Sequence, residues 1–285
     1  MRITRLSPAL GARVDDVQLG DEDPDAPASD AMWQALVGAF AEHQLLVLRA
    51  QRLDDAQHAA VARRFGPIAL ESGGEVGFVS NHRSDGSLGS RASTFHIDYG
   101  FFTNPYQALS LYGLEIPAGG TETWFVSGLA AARSLPNGLR TRVDGLHARH
   151  AIDVRSPLKE TVVRWREGRL DESYPHAVRP VLWTHERTGA PILAVWEQQT
   201  DAIVELDSEQ STALLGELFA HLYRDEHRYV HHWQPGDLVL WDNHALQHGR
   251  PDVGVEQPRT LRRVCIGETQ DLSMFAAYRA VPAAR

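Results

Sequence analysis

Six short segments, at 108–114, 181–184, 192–196, 229–233, 238–241 and 261–266, are rich in β-branched and aromatic residues and bounded by Gly, Pro or Asp. Runs of this kind read as strands, as does the apolar stretch 45–48, and Thr188-Gly189 reads as a hairpin turn between two of them. Helical spacing is confined to a few places. Trp33, Leu36, Val37 and Phe40 form one apolar face over 30–43. A second helix starts at Asp54, with Gln57 at capping-box distance, and stops at Gly66; Leu214, Leu215, Leu218 and Leu222 mark a third over 208–223. Such a chain is expected to be mainly β with surrounding helices, an antiparallel barrel or sandwich and not a doubly wound parallel sheet. No phosphate-cradling glycine fingerprint follows any strand.

No long Gly/Ser linker, repeat or low-complexity block interrupts the 285 residues, so a single domain over 1–285 is expected, with 21–30 as a surface loop. A formal net charge of −9 argues against nucleic acid, whose phosphates need clustered Lys and Arg, and against an acidic membrane surface. The first residues lack the apolar core of a signal peptide and no later segment stays apolar long enough to span a bilayer, so a cytoplasmic protein is expected. The single cysteine, Cys265, can form neither an internal disulfide nor a thiolate metal site, which leaves His and carboxylate as the groups able to hold a transition metal.

His96-Ile97-Asp98 places two such groups on one side of an extended strand, because alternate residues share a face. Imidazole and carboxylate suit iron(II), and two His with one carboxylate leave coordination positions open. A hydrogen-bonded strand histidine is the bland alternative. A third ligand is offered by His248, at the end of Gly236-Asp237-Leu238-Val239-Leu240-Trp241-Asp242-Asn243, a tight turn feeding an apolar strand, although a turn histidine satisfying a backbone group reads equally well. Downstream, Arg259, Leu261 and Arg263 share a strand face, and two guanidinium groups there need anions. A dicarboxylate would serve; an exposed basic edge strand is the other reading.

With these residues in place the sequence resembles the taurine dioxygenase and 2,4-dichlorophenoxyacetate dioxygenase family of iron(II)/2-oxoglutarate enzymes. The resemblance is carried by Phe95-His96-Ile97-Asp98, by Pro117-Ala118-Gly119-Gly120-Thr121-Glu122-Thr123, by the Gly236–Asn243 run leading to His248, and by the Arg-rich strand after it. It spans the chain from Leu10-Gly11 and the Arg64-Phe65-Gly66 turn to Cys265. It implies a double-stranded β-helix, or jelly roll, with a long insertion over roughly 125–228 between the metal-binding strands. Within that insertion, 153–177 is expected to act as a lid. By the same resemblance His96, Asp98 and His248 hold Fe(II), Thr123 and Arg259 grip the far carboxylate of 2-oxoglutarate, and Arg263 faces an acidic group of the substrate. Dioxygen is the third reactant, and succinate and carbon dioxide are released as an aliphatic C–H bond is hydroxylated. The presence of Asp98 favours hydroxylation over halogenation, leaving desaturation and cleavage open.

The departures bear on substrate. An ungapped count from Gly66 puts Glu71 where the taurine enzyme binds sulfonate, so taurine is disfavoured, and Glu71 with Arg263 would read a zwitterion such as an amino acid; a solvated loop Glu is the alternative. Glu197, Gln198, Gln199 and Asp201 stand where relatives present an aromatic, which suggests a more polar pocket with Gln199 in it. Tyr99 and Phe101 are expected to form its apolar wall, or else plain core. His244 replaces an Arg of relatives without evident reason. The partner is thus expected to be a small anionic or zwitterionic molecule, with a homo-oligomer left open. Two rival classes share the ligand set: a cupin-like metal hydrolase or isomerase working without 2-oxoglutarate, and a non-catalytic binding protein. Succinate formation separates them.

Overall fold

The computed structural model describes residues 1–23, 27, 30–71, 74–152, 175–254 and 256–271. Two mainly antiparallel sheets face one another, the larger with parallel pairs where Ala12–Asp15 meets Leu45–Leu48 and where Gly77–Ser80 meets Gly86–Leu88. The larger runs in the order Arg2–Arg5, Ala12–Asp15, Leu45–Leu48, Leu238–Asp242, Ala108–Glu115, Thr260–Ile266, Gly77–Ser80, Gly86–Leu88, with Ile68–Ala69 also joined to Thr260–Ile266. The smaller runs Arg228–His232, Glu122–Ser127, Leu246–Arg250, Ser93–His96. Together they form the jelly roll that the sequence resemblance implies.

The period of two along each strand divides the core. Leu45, Val47, Leu109, Leu111, Val239, Trp241, Leu261 and Cys265 point between the sheets, where they meet Phe125 and Leu246 of the smaller one. Leu46, Leu48, Ala108, Tyr112, Leu238, Leu240 and Val264 point outward, against Trp33, Leu36, Phe40, Val61 and Phe65 of the helical layer. The Leu238–Asp242 strand is buried along its whole length because it has a hydrophobic layer on both faces.

That layer is made by helices Ala31–His43 and Asp55–Arg63. Asp30 caps the first by accepting from the backbone N–H groups of Met32 and Trp33. Asp54 and Gln57 close a reciprocal capping box on the second. The helix expected over 208–223 is Ser208–Leu222, capped by Asp207. It packs with Gly128–Arg133 and Asn137–Val143, two short helices that carry no long periodic signal, in a third core around Val126, Leu193, Leu214 and Leu218. Between Glu122–Ser127 and Arg228–His232 the chain also builds a three-stranded sheet, His176–Pro180, His147–Ala151, Thr200–Ile203, and the hairpin Leu182–Thr184 with Pro191–Leu193. The Thr188-Gly189 turn sits in that hairpin, with Gly189 at φ 67°. Most of the expected lid, 153–174, lies outside the described residues, as does part of the loop expected at 21–30.

Two expectations need correction. The segment 192–196 is strand only to Leu193, because Trp196 turns the chain through backbone bonds from Gln199 and Thr200 to its carbonyl. The alternative of a basic edge strand does not hold either: Thr260–Ile266, which begins just after Arg259, is central, paired with Ala108–Glu115 on one side and Gly77–Ser80 on the other. Its outward arginine, Arg262, is buried under helix Asp55–Arg63, donating to Asp55 Oδ1 at 2.6 Å, His58 Nδ1 at 3.1 Å and the Leu53 carbonyl at 2.7 Å. Among the described residues no helix is long and apolar enough to cross a membrane.

Candidate metal centre

His96 ends the edge strand of the smaller sheet, and His248 lies directly across from it on the neighbouring strand. Their rings are 4.3 Å apart. The close approach is permitted by Gly249, where a Cβ would stand 2.8 Å from the Ser93 carbonyl oxygen. Asp98 completes the group. Its Oδ1 lies 3.3 Å from His96 Nε2 and 3.6 Å from His248 Nε2, and among the described residues these three alone form such a cluster, with ligand atoms all within 4.8 Å.

The route by which Asp98 arrives differs from the sequence reading. The strand Ser93–His96 stops before it, so strand alternation does not place the pair. The chain turns instead: Gly100 N–H bonds to the Ile97 carbonyl, Phe102 N–H to the Tyr99 carbonyl, and Tyr99 takes a left-handed φ of 58°. Asn243 fixes that turn from the other sheet. Its Oδ1 accepts from the Asp98 N–H at 2.9 Å, and its Nδ2 donates to the carbonyls of Asp98 at 3.0 Å and Tyr106 at 2.8 Å. Arg179 holds the far side of the turn, donating to the carbonyls of Gly100, Phe102 and Thr103. Nothing in the sequence marks Asn243 or Arg179 for this, since both act across more than 70 residues. Asn243→Ala is therefore expected to weaken metal affinity about 10–100-fold, the range for lost support of a ligand. Metal titration followed by tryptophan fluorescence, beside a thermal melt, separates this from general destabilisation.

The electrostatics fit a cation. His96 Nδ1–H donates to the Thr94 carbonyl at 2.8 Å, which turns Nε2 toward Asp98. Burial, reinforced by His96, holds the His248 imidazole near pKa 3, so it is neutral at ordinary pH. Burial works against ionising Asp98, but its contacts with His96, His248 and Arg263 outweigh this and keep the carboxyl well below the usual range. His96, His248 and Asp98 thus gather two imidazoles and a carboxylate within 4.8 Å of one another, a donor set that fits a divalent transition metal.

The cavity in front of the cluster is walled by His96, Asp98 and His248 with Thr123, Trp241, Arg250, Arg259 and Arg263. Arg259 is 2% exposed, its Nε is buried with no partner, and burial, with Arg250 beside it, lowers its pKa to about 9. An anion in the cavity relieves both strains. Thr123 Oγ1 accepts from Trp233 Nε1 at 2.9 Å, so its own hydroxyl hydrogen remains to be donated. Arg250, also buried, joins this wall unannounced by any motif.

The remaining candidates are placed as follows. Arg263 reaches Asp98 Oδ2 at 3.4 Å and is clasped by Glu71, Nε to Oε2 at 3.0 Å and Nη2 to Oε1 at 2.8 Å. Tyr99 stacks in an aromatic group with Phe101, Phe102 and Tyr106 beside the turn, and buried Phe101 is core. The polar wall expected from 197–201 is reduced: Glu197 faces solvent and Asp201 is bound by Arg149, leaving buried Gln198 and Gln199. Gln198 donates to Ser93 Oγ at 3.3 Å, and Gln199 Oε1 lies without a partner near Gly100. Neither Tyr99, Phe101, Gln199 nor Glu71 is among the residues walling this cavity. His244 packs on Trp183 and bonds the Pro105 carbonyl at 3.3 Å, outside those walls.

Comparison with known proteins agrees with the architecture and the chemistry. The chain is 31% identical over 277 residues to the (S)-phenoxypropionate/alpha-ketoglutarate-dioxygenase of Sphingobium herbicidovorans, covering 91% of this chain and 92% of that one. It is also 31% identical over 290 residues to pentalenolactone F synthase of Streptomyces arenae, covering 93% and 94%. The crystal structure of a taurine dioxygenase from Burkholderia xenovorans shares the fold with a TM-score of 0.76 at 24% identity, over 93% of this chain and 90% of that one. Residues 2–265 match the family described as taurine catabolism dioxygenase TauD, TfdA family, and the chain belongs to it.

Proposed function

We propose that the protein is an iron(II)- and 2-oxoglutarate-dependent dioxygenase that hydroxylates an aliphatic C–H bond of a small anionic or zwitterionic molecule, with release of succinate and carbon dioxide. The observation that carries it is the convergence of His96, Asp98 and His248 beside an unpartnered, buried Arg259. His96, Asp98 and His248 would hold the iron(II), beside the cavity that would take 2-oxoglutarate. Iron(II) with dioxygen and 2-oxoglutarate supplies the oxidising power for C–H hydroxylation. Arg259 and Thr123 take the far carboxylate of 2-oxoglutarate, the guanidinium by charge-assisted bonds and the hydroxyl by its free hydrogen. The work left to the protein is to orient the target carbon and exclude water. Trp241, Leu111 and Val79 give the cavity its apolar surface.

The relatives named above act on phenoxypropionate in one case and make pentalenolactone F in another, which places small molecules as the partner class and leaves the substrate itself to experiment. The hydrolase or isomerase alternative predicts no succinate. In the expected result, purified protein with Fe(II), 2-oxoglutarate and oxygen forms succinate slowly, and addition of a panel of amino acids and carboxylic acids accelerates it for a subset. No succinate from iron-loaded, folded protein under any of these conditions would sink the proposal.

A further inference from the structure

Arg263 lies on the strand Thr260–Ile266 and Arg259 immediately precedes that strand, and both line the cavity beside His96, Asp98 and His248. Arg259 is sealed at the inner end, whereas the side chains of Arg263, Glu71 and Asp98 keep 16%, 10% and 15% of their area open. Of these two arginines, Arg263 is therefore the more open to a molecule beside His96, Asp98 and His248. That guanidinium already has a carboxylate on it: Glu71 takes its Nε/Nη2 edge with both oxygens, and Asp98 stands 3.4 Å from Nη1.

The pair is built into the fold. Glu71 is fixed by two backbone bonds of 2.8 Å with Gly74. Gly77, which lies opposite Arg263 in the sheet, has no side chain to fill the space the carboxylate uses; a Cβ there would stand 3.2 Å from Glu71 Oε2. Glu71 cancels the positive charge that Arg263 would otherwise offer to an acid. The guanidinium keeps its end-on Nη1/Nη2 edge, and the Glu71 oxygens keep lone pairs not used by Arg263. A plain carboxylate approaching that edge comes beside two carboxylates and brings nothing to offset them. A carboxylate carrying an ammonium group finds an acceptor for it at Glu71.

Resting on the dioxygenase reading and narrowing its substrate class, we infer that the Glu71–Arg263 pair selects a zwitterionic, amino-acid-like substrate over the same acid without its ammonium group. The carboxylate takes the open edge of Arg263 and the ammonium the free lone pairs of Glu71. Discrimination arises from the charge left unpaired when the ammonium is missing.

The test uses matched pairs, valine with 3-methylbutanoate, norvaline with pentanoate and phenylalanine with 3-phenylpropanoate, titrated anaerobically into the full chain loaded with Fe(II) and 2-oxoglutarate. Binding is read from the shift of the visible charge-transfer band and from calorimetry. The amino-acid member of at least one pair is expected to bind about tenfold tighter or more, the scale of one close charge pair. In Glu71→Gln that ratio falls toward one, mostly through tighter binding of the plain acid. Glu71→Asp, too short to hold the two-pronged contact, serves where Glu71→Gln does not fold and is expected to lose part of the preference. Equal or tighter binding of plain acids by the unmodified protein overturns the inference. So does a preference that survives in the variants, or a set in which no amino acid shifts the band. Absence of the band before any probe is added brings down the dioxygenase reading, and this selection with it.

Discussion

In His248→Ala the charge-transfer band formed anaerobically by Fe(II) and 2-oxoglutarate is expected to disappear, and succinate formation to fall by a factor on the order of 10³ or more. The size follows from geometry. His248 lies across from His96 on the adjacent strand, and its Nε2 is 3.6 Å from Asp98 Oδ1, so its removal opens one corner of a three-membered donor set. Loss of an outer partner costs roughly 10–100-fold, and loss of a ligand itself must exceed that. The fold should persist. The imidazole donates no hydrogen bond among the described residues, its Nδ1 being buried without a partner, and Trp241 and Phe125 keep that part of the core filled. A thermal melt close to that of the unmodified protein together with lost Fe(II) binding is the expected pair of results. Retention of the band in folded His248→Ala would remove His248 from the ligand set.

The contrast between the members of the His96, Asp98 and His248 cluster shows what a sequence makes legible. His248 was accessible because a glycine turn, an apolar run and a polar segment announce one strand and the turn leading to the next. The capping residue Asp54 is legible for a related reason: its partner Gln57 lies within three residues, so the interaction is written in adjacent letters. Asp98 reaches the cluster by a route that strand alternation does not predict. Alternation suggested a shared strand face, but the strand ends and the carboxylate is delivered by a left-handed Tyr99 and the amide of Asn243, 145 residues away.

Burial was the other quantity the sequence withheld. Arg262 and Arg263 are neighbours in sequence, yet one is sealed under a helix by Asp55 and His58 and the other faces the metal cluster. Alternation separates their directions but cannot say that both faces of this strand are covered, which depends on the two sheets and the helix layer closing together. The same closure converts Arg259 from a nominal surface cation into a buried donor without a partner.

Arg259→Leu is the second large effect, and it differs in kind from the loss of His248. Fe(II) binding should be retained, because Arg259 touches none of His96, Asp98 or His248 by any hydrogen bond among the described residues. On the proposed role of Arg259, the loss expected is that of the hold on the far carboxylate of 2-oxoglutarate. A hydrogen bond to a charged group contributes about 1.5–3 kcal/mol, so removing it leaves a carboxylate facing leucine and raises the KM for 2-oxoglutarate on the order of 10²-fold. Because the contact is remote from the reacting bond and equal in ground and transition states, kcat at saturating 2-oxoglutarate should change much less than KM. Arg259→Lys is expected to recover only part of the loss. An ammonium supplies the charge but not the planar fork, and in a site dry enough to lower the Arg259 pKa to about 9 it gives up more hydration on burial. Steady-state kinetics with 2-oxoglutarate as the varied component decide the matter: an unchanged KM in Arg259→Leu would require another group, with Arg250 the nearest cation in the same wall, to be the anchor.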